Sequence, residues 1–265
     1  MNIYLHELKA YRKSTIIWTC SLVLIVILFM SMFSSISQNA TDFEKTLQGI
    51  PEAAQKAIGL SLDTFFSLLG FYSYLFLYVL LCGAIQAMNL GTSIISKEVR
   101  EKTADFLLTK PVTRNQIMTA KLLAVLTSLV ITNVVYFIAS LIMVNSVKTQ
   151  SFSLKIFFMI SITLFFVQLM FMTIGIIISV VSPKIKSVLP ISLGVVFGFF
   201  MLGMLSSNIG DTASRFLIPF KYYDYAYIIK NSSYEISFII VEIIFILVTI
   251  LASYMIYDKK DIHAV

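Results

Sequence analysis

Uncharged apolar runs of about 20 residues recur along this chain, each long enough to cross a hydrocarbon core about 30 Å thick as a helix. Six such runs are read, at roughly 15–34, 66–95, 116–145, 156–182, 187–206 and 236–257. With 58% hydrophobic and 13% charged residues, the chain lacks the charge a soluble surface needs. The fold class is therefore all-α: a single polytopic transmembrane domain over residues 1–265 with six membrane-spanning helices. The second and third runs are longer than a bilayer requires and flank the most charged loop, so they are expected to protrude as a stalk.

Short cytoplasmic loops carry an excess of Lys and Arg. Placing the N- and C-termini in the cytoplasm puts Lys9, Arg12, Lys13, Lys97, Arg100, Lys102, Lys110, Arg114, Lys121, Lys184, Lys186, Lys259 and Lys260 inside. The outer side then holds Lys45, Lys56, Lys148, Lys155, Arg215, Lys221 and Lys230, with Asp42, Glu44, Glu52 and Asp63 making the first outer loop net acidic. The formal charge of +6 thus records topology, not a nucleic-acid groove. A basic stretch before the first run imitates a signal peptide, but the run is long and five more follow, so a retained signal-anchor helix is expected. Residues 1–14 read as an amphipathic elbow helix on the headgroup layer, with Tyr4, Leu8 and Tyr11 to one side; a frayed tail is the alternative. Cys20 and Cys82 lie within apolar runs, and His6 and His263 sit at opposite ends, so no disulfide or metal site is expected.

The loop at 96–114 is the most informative segment. At 100° per residue, Ile95, Val99, Thr103, Phe106 and Leu107 share one face while Arg100, Glu101 and Asp105 lie away from it, which describes a short amphipathic helix. Pro111 ends it, and Thr113 is placed to cap the helix that carries Lys121 into the third span. Such a helix can fill a groove on a partner or lie on lipid.

In this loop Glu98, Thr103, Leu107, Leu108, Pro111, Thr113, Arg114 and Lys121 fall where the membrane subunits of ABC transporters of the ABC-2 export type carry their loop motif. The chain resembles that family, with Lys102 standing where Gly is usual. The resemblance implies an ABC-2 (type V) exporter-like domain whose coupling residues are Glu98, Val99, Thr103, Phe106, Leu107, Leu108, Pro111 and Arg114. It implies a permease subunit that forms half of an export pathway for a peptide, drug or lipid-like substrate. Its partners would be the bilayer, two ABC ATPase subunits and a second permease chain, identical or related. The chain carries no G-x-x-x-x-G-K phosphate loop and is expected not to be an enzyme by itself; ATP and Mg belong to the partner ATPase. Low Gly and Pro with abundant Ile, Lys and Asn match an AT-rich bacterial genome, hence a bacterial plasma membrane.

Residues 207–235 form an extracellular or re-entrant loop with Arg215, Lys221, Tyr222, Tyr223, Tyr225, Tyr227 and Tyr234, either an outer gate or an aromatic belt. Glu242, the one carboxylate within the spans, needs a partner or a wet cavity, and Arg215 or Lys221 is in reach of it. Together with Tyr222 and Tyr223 these form the candidate gate or pathway. Gln86, Asn89, Asn133 and Gln168 are expected to join helices, and Gly194 with Gly198 to mark a close helix contact, plausibly between two permeases. A secondary transporter driven by an ion gradient would show broken spans and internal symmetry, and a membrane enzyme would show a catalytic constellation; neither pattern is visible.

Overall fold

The computed structural model describes residues 3–101, 112–148, 151–182, 185–209 and 212–259, and every regular element among them is helical. Six long helices carry the fold: α1 (Ile3–Gln38), α2 (Leu68–Glu101), α3 (Arg114–Val147), α4 (Leu154–Val181), α5 (Val188–Ile209) and α6 (Ile236–Lys259). All six contain a window long and apolar enough to cross a membrane. Contacts of Arg114 with Tyr257 and Asp258, and of Lys121 with Glu7 and Ile94, bring the first turns of α1 and α3 and the last turns of α2 and α6 to one end of the bundle, called here the terminal end. The far end holds the short helices Ala40–Gln48, Glu52–Ala57 and Leu62–Phe65, and after α5 the helix Thr212–Arg215, a 3-10 turn at Pro219–Lys221 and the helix Tyr225–Asn231.

The elbow expected over residues 1–14 is replaced by continuity. Ile3 to Gln38 form one uninterrupted helix of 36 residues, about 54 Å long. The segment contains no Gly or Pro that would break it, and burial of Glu7 and Tyr11 draws its first turns into the bundle. Both α2 and α3 have 34 residues, about 51 Å, so each exceeds a hydrocarbon core as expected. Thr113 caps α3 in a capping box: its Oγ1 accepts from the Gln116 N–H at 3.2 Å while its own N–H donates to Gln116 Oε1 at 3.1 Å.

The core lies between α2 and α4, the two most buried spans, with α1 laid along α3, α6 against α4 and α5 against α2. Two glycines set the α2–α4 distance. A Cβ at Gly175 would stand 2.7 Å from the Met88 carbonyl oxygen and 2.8 Å from the Thr92 nitrogen, and one at Gly91 would collide with the Met172 backbone. Helix pairs in membranes gain dispersion contact from such close approach, since lipid supplies no hydrophobic force between them.

A buried polar ladder crosses four helices at mid-bundle. Thr19 and Thr132 hydroxyls meet at 2.9 Å, and Gln86 donates to Thr132 Oγ1 at 2.9 Å. Gln168 Nε2 donates to Gln86 Oε1 at 3.2 Å, and Asn133 Nδ2 to Gln168 Oε1 at 2.6 Å. Three of the four amides expected to join helices do so. Toward the far end, the Tyr72 hydroxyl meets those of Tyr136 and Ser161 at 2.9 and 2.8 Å. By contrast α1, α5 and α6 leave apolar faces open at Ile17, Leu24, Leu205, Leu247 and Leu251, as a hydrocarbon surround permits.

Candidate functional site

At the terminal end, Glu98 and Val99 belong to the last turns of α2, while Thr103, Phe106, Leu107, Leu108 and Pro111 lie outside the described residues. Arg114 opens α3 and donates to the carbonyl oxygens of Tyr257 at 3.3 Å and Asp258 at 3.1 Å, capping the last turn of α6. A cation at unsatisfied C-terminal carbonyls is favourable both as a hydrogen bond and against the helix dipole. Two turns along, the Lys121 ammonium is buried between Glu7 of α1, at 3.2 Å, and the Ile94 carbonyl of α2, at 2.7 Å. The first turns of α3 are therefore tied to α1, α2 and α6.

At the far end, residues 212–235 fold back over α4, α5 and α6. Arg215 grips Glu235 with both guanidinium nitrogens, at 3.2 and 2.5 Å, and stacks over Phe238 at 4.3 Å. Tyr222 is buried, donates to the Phe216 carbonyl at 2.7 Å, and has its hydroxyl pushed up from the usual value chiefly by that burial. The Tyr223 ring stacks on Phe166 of α4 at 5.8 Å, and its hydroxyl donates to the Glu242 carboxylate of α6. Glu242 is only 4% exposed. Its partner is thus Tyr223, not Arg215 or Lys221: Glu235, immediately before α6, captures Arg215 first, and Lys221 donates to the Ser207 hydroxyl of α5. Burial pushes the Lys221 ammonium below the ordinary lysine range, with Asp224 opposing and Arg215 reinforcing the shift.

These contacts close one side of a cavity of about 700 Å³ between the 212–235 fold, the short helices after α1, and the far-end turns of α2 and α5. Lys56, Arg215 and Lys221 face it beside the carboxylate of Asp224, and Phe65, Tyr74, Leu77 and Ile229 line its apolar part. Of the five residues assigned to the candidate gate, Arg215, Lys221 and Tyr223 line this space, Glu242 is tied to it through Tyr223, and Tyr222 packs behind them on Phe238. Lys56, Phe65 and Tyr74 were not legible as site residues, because they come from the first far-end loop and α2, far away in sequence. Gly194 and Gly198 have no neighbouring atom within 4 Å of where a Cβ would stand, so the contact expected at them is not made within the chain. Among the described residues no three His, Cys, Asp or Glu side chains gather as metal ligands.

Six helices long and apolar enough to cross a membrane, tied at one end by the buried Lys121–Glu7 pair and holding a lined cavity at the other, define a polytopic all-helical membrane protein. The chain belongs to the family of ABC-2 family transporter proteins, whose family model matches residues 1–262. Members are membrane components of ABC transporters that work with ABC ATPase subunits and are not themselves the catalytic enzyme. Comparison with curated proteins finds no match.

Proposed function

We propose that the chain is the permease subunit of an ATP-binding cassette exporter in a bacterial plasma membrane, with both termini in the cytoplasm. A second permease, identical or related, completes the translocation pathway, and two separate ATPase subunits bind ATP and Mg and drive it. The observation that carries this reading is the family match over residues 1–262, joined to the placement of the motif-bearing connection between two helices of about 51 Å. The coupling helix is assigned to 96–114, with Phe106 and Leu107 on the face toward the ATPase. Rigid helices transmit displacement from such a connection into the bundle because packed cores move as bodies and do not deform continuously.

In this scheme closure of the ATPase pair moves the bases of α2 and α3, and Lys121 and Arg114 pass that motion to α1 and α6. The 212–235 fold, latched by Tyr223 on Glu242 and Arg215 on Glu235, is the outer gate. An amphipathic cargo, whether peptide, drug or lipid-like, suits a permease with no large outer domain.

The test is co-purification from membranes with the candidate ATPase. Phe106→Asp and Leu107→Asp each place a carboxylate on the docking face and are expected to lower permease-stimulated ATP hydrolysis at least tenfold, about 1.4 kcal/mol of lost coupling. A chain that purifies without an ATPase and transports under an ion gradient alone would overturn the reading.

A further inference from the structure

We propose that the far-end cavity is a binding site for an amphiphile with an anionic head, a phosphate or carboxylate, seated on Lys221 with its apolar part along Phe65, Tyr74 and Leu77. This rests on the permease reading and names the ligand class of that site.

The volume of about 700 Å³ suits a ligand of moderate size. Charge then selects the ligand. Among the described residues, three cations face the cavity against one carboxylate, Asp224, which is exposed and already caps the Tyr227 N–H at 3.1 Å. Lys56 is compensated by Glu52 at 2.6 Å, and Arg215 by Glu235. Among the described residues Lys221 has no carboxylate within ion-pair distance, and it rests on the neutral Ser207 hydroxyl. A half-buried ammonium without an anion is costly, so a ligand that supplies one is favoured. The Ser207 hydroxyl that accepts from this ammonium donates its own proton to the Gly203 carbonyl at 2.9 Å, and the Ser206 hydroxyl meets that of Ser214 at 2.6 Å, so the ammonium itself is the donor left for a phosphate or carboxylate oxygen. The opposite wall is aromatic and aliphatic: Phe65 packs edge-on against Tyr74 at 5.3 Å, and Leu77 lies beside it. A cationic amphiphile would be repelled by the Lys221 ammonium, and a wholly apolar one would leave that ammonium desolvated without an anion. An inorganic anion alone would leave the apolar wall empty.

The experiment is native mass spectrometry of the full chain in a non-ionic detergent with dodecyl phosphate, dodecyltrimethylammonium or inorganic phosphate as probe. Dodecyl phosphate is expected to bind saturably, one per chain, at least tenfold tighter than either other probe. Lys221→Gln should weaken it at least tenfold, Lys221→Arg should restore binding to within about threefold, and Leu77→Trp, which fills the apolar wall, should weaken it with the charge intact. Equal affinity for the cationic probe, undiminished binding in Lys221→Gln, or inorganic phosphate binding as tightly as dodecyl phosphate would each overturn the assignment. The assay contains no ATPase. If Phe106→Asp fails to disturb ATP hydrolysis while dodecyl phosphate still binds, the permease reading falls and the site stands; if coupling holds and the probe does not bind, only this inference falls.

Discussion

The Lys121 ammonium stands 3.2 Å from the Glu7 carboxylate, with the two side chains 1% and 8% exposed, so a buried ion pair joins α3 to α1 near the start of both helices. Removing one member of such a pair strands the other charge and costs about 3–5 kcal/mol, whereas replacing both is far milder. Lys121→Met is therefore expected to lower thermal stability in detergent sharply. The double variant Lys121→Met with Glu7→Gln should recover most of that loss. Equal stabilities for the single and double variants would show that the pair is not a unit.

Helix approach at the α2–α4 seam leaves no room for a methyl group. Gly175→Ala would press on Met88 and Thr92 backbone atoms that cannot swing aside, an overpacking cost of about 1–3 kcal/mol. Gly194→Ala and Gly198→Ala face open space and should change the stability of the isolated chain by less than about 0.5 kcal/mol. Thermal unfolding of the three variants side by side checks the ranking.

Gln168 holds the middle of the polar ladder, bonded to both Gln86 and Asn133. Gln168→Leu removes these two interhelical bonds and a third, from Gln168 Nε2 to the Gly83 carbonyl at 3.4 Å, each worth about 0.6 kcal/mol on average in a membrane protein and up to about 1.7. The expected loss is about 1–2 kcal/mol by thermal unfolding. Thr19→Val, at the end of the ladder, removes one bond and should cost about a third as much.

Tyr223 supplies the recorded hydrogen bond to the buried Glu242 carboxylate. Tyr223→Phe withdraws that donor and should loosen the 212–235 fold, seen as faster amide hydrogen exchange there than in the unaltered chain. Glu242→Gln keeps an acceptor for the hydroxyl and is expected to leave exchange nearly unchanged. The reverse order would mean that Glu242 is held by something other than Tyr223.

Lys221 gives the far end a pH response. Its pKa is lowered from the ordinary 10.5, mainly by burial, with Asp224 opposing and Arg215 adding to the effect. Between the lowered value and the unfolded one, the unfolded chain binds more protons than the native chain, so this group's contribution to stability rises with pH through that window. Dodecyl phosphate binding runs the other way, because it needs the ammonium. Its affinity is expected to fall as pH rises toward the ordinary lysine range, and to stay flat in Lys221→Arg, whose guanidinium does not titrate there.

The six spans were legible in the sequence because crossing lipid is a local requirement: a run of apolar residues states it without reference to any other part of the chain. Thr113 as a cap was legible for the same reason, its partner Gln116 lying three residues on. The start of α1 was not, since Glu7, Lys9, Arg12 and Lys13 read as a polar lead-in until Lys121 is brought to Glu7 by folding. The family motif around Phe106 and Leu107 was recognised from residue types alone, and those residues lie outside the described part of the structure. Tertiary packing alone decided that Gly91 and Gly175, not Gly194 and Gly198, bring two helix backbones together. It also decided that Glu242 answers to Tyr223, and that Lys56 and Tyr74 share a cavity with Lys221. Residue type announces that a group is small, charged or able to donate; which distant group it meets depends on the rotation and pairing of whole helices, set by the summed packing of all six.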